Sequence, residues 1–369
     1  MYSIAKIYDG THQTPNYQDL GIKFVSVENI NDLYASSKYI SEFDFKKDFR
    51  TYPKKDDILM TRIGDIGTPA IVKTNELLAY YVSLALLKIQ KNCTPTYLYY
   101  YIQTPYFQKE LWHRTIHVAF PKKINKEEIG KCLVKHPNNG EQVKLSTFLA
   151  FIEDRISIQN KIISQYETLI KGIIDFALNR KGTQYLFKEL YLRASEGGTP
   201  PTDNKEYYEN GNIPFIKIED LSSKYINKNL DYITAQGLNK SSAWLIPENS
   251  VIYSNGATIG RISINMYPVA TKQGILGIVP SKIIKTEYLY YYMCSTYFRK
   301  QIKRITVCGT MDCAYLKDIN TINCYIPSLT VQEHIIHALS KLDKKLYIEK
   351  QCLSKLKEQK KYLLAKMFI

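Results

Sequence analysis

Two stretches of the chain carry apolar residues at alternating steps of three and four, which places them on one stripe of an α-helix. The first stretch has this stripe at Leu149, Ile152, Ile156, Ile163, Tyr166, Ile170 and Ile173. The second has it at Leu339, Leu342, Leu346, Leu353, Leu356 and Leu363. Such spacing is typical of a coiled-coil seam. It predicts two helices of on the order of 35 residues, each about 50 Å long.

Polar residues interrupt both stripes. Gln159 interrupts the first, and Glu349 and Lys360 interrupt the second. Gln159 and Glu349 are 190 residues apart and occupy the same level of their helices. Polar seam residues can fix the register of a helix pair at some cost in stability. We therefore expect the helices to pack on each other, with packing of each on its own globular domain as the alternative.

Short apolar and β-branched runs, bounded by Gly, Pro and Asn, precede each long helix and predict strands. Examples are Ile58-Leu59-Met60, Ala70-Ile71-Val72, Val251-Ile252-Tyr253 and Ile262-Ser263-Ile264. Two tyrosine-rich segments, 97–107 and 288–298, have helical spacing and are expected to pack one face on a sheet.

The two halves of the chain repeat one another. The segment 24–30 matches 215–221, and 97–101 matches 288–292, each 191 residues on. Ile66-Gly67 matches Ile259-Gly260 at 193 residues, and Glu141-Gln142 matches Gln332-Glu333 at 191. The repeat predicts a mixed α+β fold in which two globular units, 1–140 and 180–330, are each followed by a long helix, 141–179 and 331–369.

Composition narrows the possible partners. The net charge is +15, and 45% of the residues are hydrophobic, so the chain is globular and favours polyanions. Nucleic acid is the commonest such partner, and an anionic membrane surface is the second. No run of about eighteen apolar residues predicts a membrane span, and Met1-Tyr2-Ser3-Ile4-Ala5-Lys6 does not resemble a signal peptide. We predict a cytoplasmic protein whose seven scattered cysteines are reduced.

Two similar units connected by long helices suggest a reader that touches DNA in two places, separated by a distance that the helices set. One turn of DNA is about 34 Å, so such a spacer suits two half-sites with unread base pairs between them. The two halves differ in most surface residues, which predicts two different half-sites.

Basic and amide-bearing loop residues are the candidate DNA contacts, because Arg and Lys reach guanine or phosphate while Asn and Gln reach adenine. In the first unit they are Thr11, His12, Gln13, Arg62, Arg114, His117, Lys122 and Lys123. In the second they are Ser195, Gly197, Gly198, Thr199, Asn255, Arg261, Lys272, Gln273, Lys303, Arg304 and Lys317. For any one of them a solvated surface or turn residue is the alternative.

The sequence shows no catalytic motif. Asn212-Ile213-Pro214-Phe215 lacks the second proline of the adenine-methylase motif, and no glycine-rich cofactor loop precedes it. There is no phosphate-binding GxxxxGK[ST] loop, and the six histidines form no HExxH box. We predict a protein without enzymatic activity that binds no metal and no cofactor of its own.

Several motifs together resemble the specificity subunits of type I restriction–modification systems. They are Tyr8-Asp9-Gly10-Thr11-His12 followed by 21–30, 195–200 followed by 210–221, Lys272-Gln273-Gly274, Ile326-Pro327 and the two Ile-Gly turns. The resemblance covers essentially the whole chain. One departure is His136-Pro137, where an apolar residue is expected before the proline.

The resemblance implies two globular α/β target-recognition domains separated by two long helices that pair as an antiparallel coiled coil. Each domain would read one half of a bipartite, asymmetric site in double-stranded DNA. The helices would dock two methyltransferase subunits, and restriction subunits would join the full complex. S-adenosylmethionine and ATP are expected on those partner subunits. A coiled-coil scaffold that does not bind DNA is the alternative function.

Overall fold

The computed structural model describes residues 1–90, 92–177, 182–307 and 312–368. The chain forms two compact units. The first unit comprises Met1–Asn160 together with the chain from Gln351 onward, and the second comprises Lys161–Lys350. Both long helices contribute one half to each unit, so the boundaries fall inside the helices. The predicted domain limits separate helices from globular units instead, and they stay a prediction.

The first unit contains two small sheets. A four-stranded sheet has the order β1-β7-β4-β5, and a three-stranded sheet has the order β3-β2-β6. The strands are β1 (Ala5–Asp9), β2 (Ile22–Val25), β3 (Tyr39–Ile40), β4 (Ile58–Ile63), β5 (Asp65–Ile71), β6 (Leu78–Tyr80) and β7 (Leu84–Ile89). The helices are α1 (Glu42–Asp48), α2 (Pro95–Ile102), α3 (Pro105–Arg114), α4 (Lys126–Lys131) and the long α5 (Asn139–Ala177).

The second unit contains sheets of five strands (β11-β14-β13-β16-β9), three strands (β12-β10-β15) and two strands (β17-β8). Its first strands are β8 (Thr183–Leu186), β9 (Tyr191–Glu196), β10 (Ile213–Ile216), β11 (Tyr225–Ile226) and β12 (Asp231–Ile233). The others are β13 (Val251–Ser254), β14 (Ile262–Asn265), β15 (Ala270–Thr271), β16 (Ile275–Pro280) and β17 (Asn323–Ile326). The helices are α6 (Ala235–Asn239), α7 (Thr286–Cys294), α8 (Thr296–Ile305), α9 (Leu316–Ile319) and the long α10 (Leu329–Lys366).

The central strand of each main sheet is buried on both faces, because successive side chains point to opposite sides of a strand. In β4, Ile58 and Met60 join the core beneath the tyrosine-rich helix, whereas Leu59 joins the core on the other face. In β13, Val251 and Tyr253 likewise join the core on one face, and Ile252 joins the core on the other. This explains why both strands appear in the sequence as continuous apolar runs.

The tyrosine-rich helices α2 and α7 pack on these sheets as predicted. Tyr97 and Tyr101 are buried in the first unit, and Tyr288 and Tyr292 in the second. In α2 the Thr94 side chain accepts from a backbone N–H in the first turn, and a proline follows it, which suits the start of a helix. The tyrosines of these two helices thus serve mainly as core residues.

The two long helices pack together and run antiparallel, so the predicted fold class is confirmed. In the first unit, Leu149 near the start of α5 shares a core cluster with Leu364 near the end of α10. In the second unit, Ile170 and Ile174 near the end of α5 share a core with Leu339 near the start of α10.

A buried glutamine near the start of each long helix ties that helix to its globular unit. The Gln142 amide accepts from the Thr94 N–H at 2.8 Å and donates to the carbonyls of Asn92 and Pro137. Gln332 makes the same three bonds, to Lys285, Ile283 and Pro327. The sequence repeat pairs Glu141 with Gln332, which are 191 residues apart. The structure instead makes Gln142 the equivalent of Gln332, at a separation of 190 residues.

Membrane, metal and thiol features are limited within the described part of the chain. No helix there is long and apolar enough to cross a bilayer, and no cluster of three or more His, Cys, Asp or Glu residues there could hold a metal ion. The six described cysteines are free. Burial raises the pKa of the Cys93 and Cys132 thiols to about 11, which keeps them protonated and unreactive.

Candidate nucleic-acid interface

Three loops of the first unit meet at one end of its four-stranded sheet. The ends of β1 and β4 are neighbours there, since Asp9 pairs with Ala85 and Thr61 pairs with Leu84 of the same strand, β7. A hairpin at 116–123 lies against the end of β4, because the Gly64 N–H donates to the Lys122 carbonyl at 2.8 Å. We call residues 10–14, 62–66 and 116–123 the first loop cluster.

Five of the predicted contacts are exposed in this cluster. His12 and Gln13 lie on the turn after β1, where the Thr11 hydroxyl accepts from the Gln13 N–H at 3.2 Å. His117, Lys122 and Lys123 are exposed on the hairpin. These side chains combine imidazole, amide and ammonium groups, which are hydrogen-bond donors suited to phosphates and base edges.

The two predicted arginines of this unit have structural partners. Arg62 is only 6% exposed. Its guanidinium forms an ion pair with Asp9, and its Nε donates to the Ile124 carbonyl at 3.0 Å. Arg114 lies 3.6 Å from Glu110 and 3.4 Å from Glu128. We revise the expectation for Arg62, which supports the loops from beneath, because its charge is neutralised inside the unit.

The second unit has an equivalent loop cluster at the matching end of its five-stranded sheet. Glu196, at the end of β9, accepts from the Gly274 N–H at 2.7 Å. The Gly274 carbonyl in turn accepts from the N–H groups of Asn255 and Gly256. We call residues 195–200, 255–260 and 272–274 the second loop cluster.

Several predicted residues of the second cluster hold it together. The N–H groups of Gly197 and Gly198 donate to the carbonyls of Ile275 and Thr271, so they are not free to bind phosphate. A Cβ at Gly197 would lie 2.1 Å from the Thr271 carbonyl oxygen, so only glycine fits there. The Ser195 hydroxyl donates to the carbonyl of its neighbour Glu196, and Thr199 is half-buried.

Asn255 is also a structural residue rather than an exposed contact. It is 1% exposed, and its side-chain N–H donates to the Ala314 carbonyl at 3.3 Å. Its backbone carbonyl accepts from the Ala314 N–H at 2.8 Å. We therefore revise the expectation that its amide reads adenine, because the amide lies inside the unit.

The six remaining predicted contacts of the second unit are exposed. They are Arg261, Lys272, Gln273, Lys303, Arg304 and Lys317. Lys272 and Gln273 lie on the turn of the second loop cluster, and Lys303 and Arg304 lie in the last turn of α8. Lys317 lies on α9, with its Nζ 5.6 Å from the centre of the Tyr315 ring.

The predicted seam residues all lie on α5 and α10, and each is buried or half-buried. Those that are buried are Leu149, Ile152, Ile163, Ile170, Leu339 and Leu356. Those that are half-buried are Ile156, Tyr166, Ile173, Leu342, Leu346, Leu353 and Leu363.

A carboxylate cluster forms where α5 meets the first unit. Glu153 accepts from the hydroxyls of Tyr100 at 3.0 Å and Tyr99 at 3.3 Å. Lys360 of α10 lies 2.5 Å from Glu153 and donates to Gln103 at 3.1 Å. Burial, reinforced by the charge of Glu153, raises the pKa of Tyr99 to about 12. The phenols therefore remain donors.

A second carboxylate cluster forms where α10 meets the second unit. Lys224 lies 3.4 Å from both Asp343 and Glu287 and donates to the Tyr291 hydroxyl at 2.7 Å. Tyr291 donates to Asp343, and Tyr225 donates to Glu287. Burial alone would raise the pKa of Glu287, but the Tyr225 hydroxyl and the Lys224 charge bring it below its usual value.

The hairpin of the first loop cluster carries exposed residues that the sequence analysis missed. Val118 and Phe120 lie at its tip, and Trp112 lies beside its base. A signal was present, since an apolar pair stands between His117 and Lys122 where no strand or helix is predicted to bury it.

Both halves of the chain match one protein family. The model of the type I restriction modification DNA specificity domain matches residues 6–168 and 191–358. These two matches cover most of the chain and repeat in the same order as the two units. The chain therefore belongs to the family of type I restriction modification DNA specificity domains.

Relatives and a solved structure agree with this assignment. The "Type I restriction enzyme MjaIX specificity subunit" of Methanocaldococcus jannaschii is 29% identical over 150 residues, which are 40% of this chain and 34% of that protein. This chain thus matches about a third of that relative's length. The "Putative type I restriction enzyme MjaX specificity subunit" of the same organism is 24% identical over 397 residues, covering 97% of this chain and 89% of that protein.

A crystal structure of the type I restriction–modification S subunit from M. genitalium has the same fold. Its TM-score is 0.58 at 15% identity, and the alignment covers 100% of this chain and 94% of that one.

Proposed function

We propose that this chain is the sequence-reading subunit of a type I restriction–modification complex, and that each loop cluster reads one half of a bipartite, asymmetric DNA site. The observation that carries the proposal is the repetition of the clusters. Each is built on the same end of an equivalent sheet, yet the exposed side chains differ. His12, Gln13 and Lys122 stand in one, and Lys272 and Gln273 in the other. Equivalent supports with different contact residues suit two readers with different targets.

Charge supports DNA as the ligand. The chain carries a net charge of +15, and exposed lysines occur in both loop clusters. Lysines that bind phosphates release counterions, so binding should weaken steeply as salt increases. Buried groups such as Arg62 and Asn255 would contribute by holding the loops in place, which lowers the entropy lost on binding.

The long helices would set the spacing of the half-sites and dock two methyltransferase subunits. Supporting this, α5 leaves Phe148, Phe151 and Ile158 exposed in the first unit. These residues are three and seven apart, so they line one helix face on which an apolar partner surface can pack. S-adenosylmethionine would bind to the methyltransferase subunits and ATP to the restriction subunits. This chain would select the DNA site without catalysing a reaction.

The test is a domain exchange in the assembled methyltransferase. Residues 180–330 are replaced by the corresponding segment of another specificity subunit, and methylated adenines are mapped across the host genome. We expect one half of the methylated site to change and the other half to remain. If both halves changed together, the two-reader proposal would be wrong.

A charge substitution tests the DNA contact more directly. Lys122→Gln with Lys123→Gln should weaken binding to duplex DNA, and should flatten the plot of log affinity against log salt by about one unit per lost phosphate contact. Lys46→Gln with Lys47→Gln on α1 is the matched control, since it removes the same charge outside the loop clusters. A complex that assembles but does not bind DNA would favour the scaffold alternative.

A further inference from the structure

The tip of the hairpin at 116–123 exposes two large apolar side chains. Phe120 is fully exposed at 104%, and Val118 is 97% exposed. Neither packs against the core of the first unit, although apolar surface is stabilised by leaving water. The tip therefore has the character of a binding element rather than of a structural turn.

The hairpin that presents this tip is held firmly. Ile116 N–H donates to the Lys123 carbonyl at 2.8 Å, and Ile124 N–H donates to the Arg62 carbonyl at 3.0 Å. The His117 ring lies 4.2 Å from the Trp112 ring, with its Nε2 2.9 Å from the Trp112 carbonyl. A preorganised tip loses little conformational freedom when it binds.

The charges around the tip favour a nucleic acid. No acidic residue occurs between Leu111 and Lys126. Lys123 is exposed, and the Nζ of Lys122 lies 4.9 Å from the centre of the Trp112 ring. A convex apolar tip beside lysines matches a wedge that enters a DNA groove and partly separates a base step, while the lysines bind the adjacent phosphates.

We infer that Phe120 and Val118 form such a wedge and contact a base-pair step of the half-site that the first unit reads. This inference rests on the proposed function and deepens it. The first unit would then recognise how easily its half-site deforms, in addition to its base edges. Pyrimidine–purine steps, which unstack most readily, are the expected sites of insertion.

In sequence, the aromatic residue of the tip has no counterpart in the second half. The corresponding stretch of the second half is Cys308-Gly309-Thr310-Met311-Asp312, of which 308–311 lie outside the described residues. That sequence has no aromatic residue and contains an aspartate. We therefore expect DNA distortion in one half-site and not in the other.

The test uses the methyltransferase complex containing the full chain and a duplex carrying its mapped site. 2-Aminopurine replaces single adenines in each half, and its fluorescence increases when a base unstacks. The methylated adenines are left unchanged, because a methyltransferase extrudes its target base from the duplex. We expect an increase in the first half only. Phe120→Ala should abolish it and weaken binding about 5- to 150-fold, the range for losing one aromatic–base contact. Phe43→Ala is the matched control, because Phe43 is 75% exposed on α1.

The outcomes separate the two proposals. If the wild-type complex does not bind its duplex, the proposed function is wrong. If the wild type binds and Phe120→Ala binds equally well with the same fluorescence, only the wedge is wrong. Loss of the partner subunits from purified Phe120→Ala would also overturn the wedge, because the tip would then contact protein. Circular dichroism checks that the variant remains folded.

Discussion

The two units place a carboxylate at the same point of a long helix but neutralise it from different directions. Glu153 of α5 and Asp343 of α10 are 190 residues apart, and each accepts from an equivalent tyrosine, Tyr100 or Tyr291. In the first unit the lysine is Lys360 of the partner helix. In the second it is Lys224, which immediately precedes strand β11 of the globular part.

This difference separates two tasks. Lys360 joins one long helix to the other within the first unit, whereas Lys224 joins the globular part of the second unit to its helix. Lys224 also serves a second carboxylate, Glu287. Both units therefore retain the carboxylate of the long helix and the tyrosine that donates to it. The lysine differs in position, and in each unit it connects a different pair of surfaces.

Removing Lys224 should have the largest effect. In Lys224→Met the carboxylates of Glu287 and Asp343 face each other without a cation, and the free energy of unfolding should fall by about 3 kcal/mol at pH 7. Denaturant unfolding measures the loss. Lys282→Met, at an exposed position of the same unit, should change little.

Acidification should narrow the gap between Lys224→Met and wild type. The folded-state pKa of Glu287 is below its usual value, so its contribution is present above the unfolded-state pKa and is lost as pH falls through the folded-state pKa. In the variant, protonation instead relieves the repulsion. A gap that widened towards pH 4 would contradict the assigned pairing.

The two buried glutamines, Gln142 and Gln332, should stabilise their units to a similar extent. Gln142→Ala and Gln332→Ala each leave three backbone groups without their partner, which should cost about 2 kcal/mol in each case. Unfolding of the two single variants gives the comparison. A large effect in one unit and none in the other would mean that the two glutamines are not equivalent.

Removing Lys360 should cost less than removing Lys224. Glu153 keeps two tyrosine donors in Lys360→Met and is partly exposed, so we expect a loss of about 1.5 kcal/mol. Adding Glu153→Gln should recover part of it, because the uncompensated charge is gone. Lys357→Met, exposed on the same helix, serves as the control, and additive effects at 153 and 360 would argue against their coupling.

The tyrosine hydroxyls should give the smallest effects. Tyr100→Phe leaves Tyr99 as a donor to Glu153, so the loss should be about 1 kcal/mol. Tyr291→Phe should cost slightly more, because this hydroxyl also accepts from Lys224. Thermal unfolding of both variants ranks them, and the reverse order would weaken the comparison between the clusters.

Most elements of the fold could be predicted from local sequence patterns. The seam spacing, the apolar runs of β4 and β13, and the helical tyrosines depend on neighbouring residues, so the sequence alone predicts them. Lys360 was visible only as a break in the seam, because its partner Glu153 is 207 residues away. The choice of partner depends on the tertiary fold.

The candidate contacts were harder to assign for the same reason. In sequence, Arg62 and Lys122 are both basic loop residues beside turns. Arg62 is buried because Asp9, 53 residues away, lies beside it, and Asn255 is buried because Ala314 folds over it. Phe120 shows the opposite difference, since an apolar residue is expected in the core but its side chain is exposed to solvent.

The division of both long helices between the units has a consequence for synthesis on the ribosome. The second unit is one continuous segment, Lys161–Lys350, and can close as soon as it has emerged. The first must wait for Leu364 and Phe368, which cover Leu149, Tyr100 and Tyr97. The unit that is begun first is thus completed last. Until then its apolar face remains open to water and to chaperones.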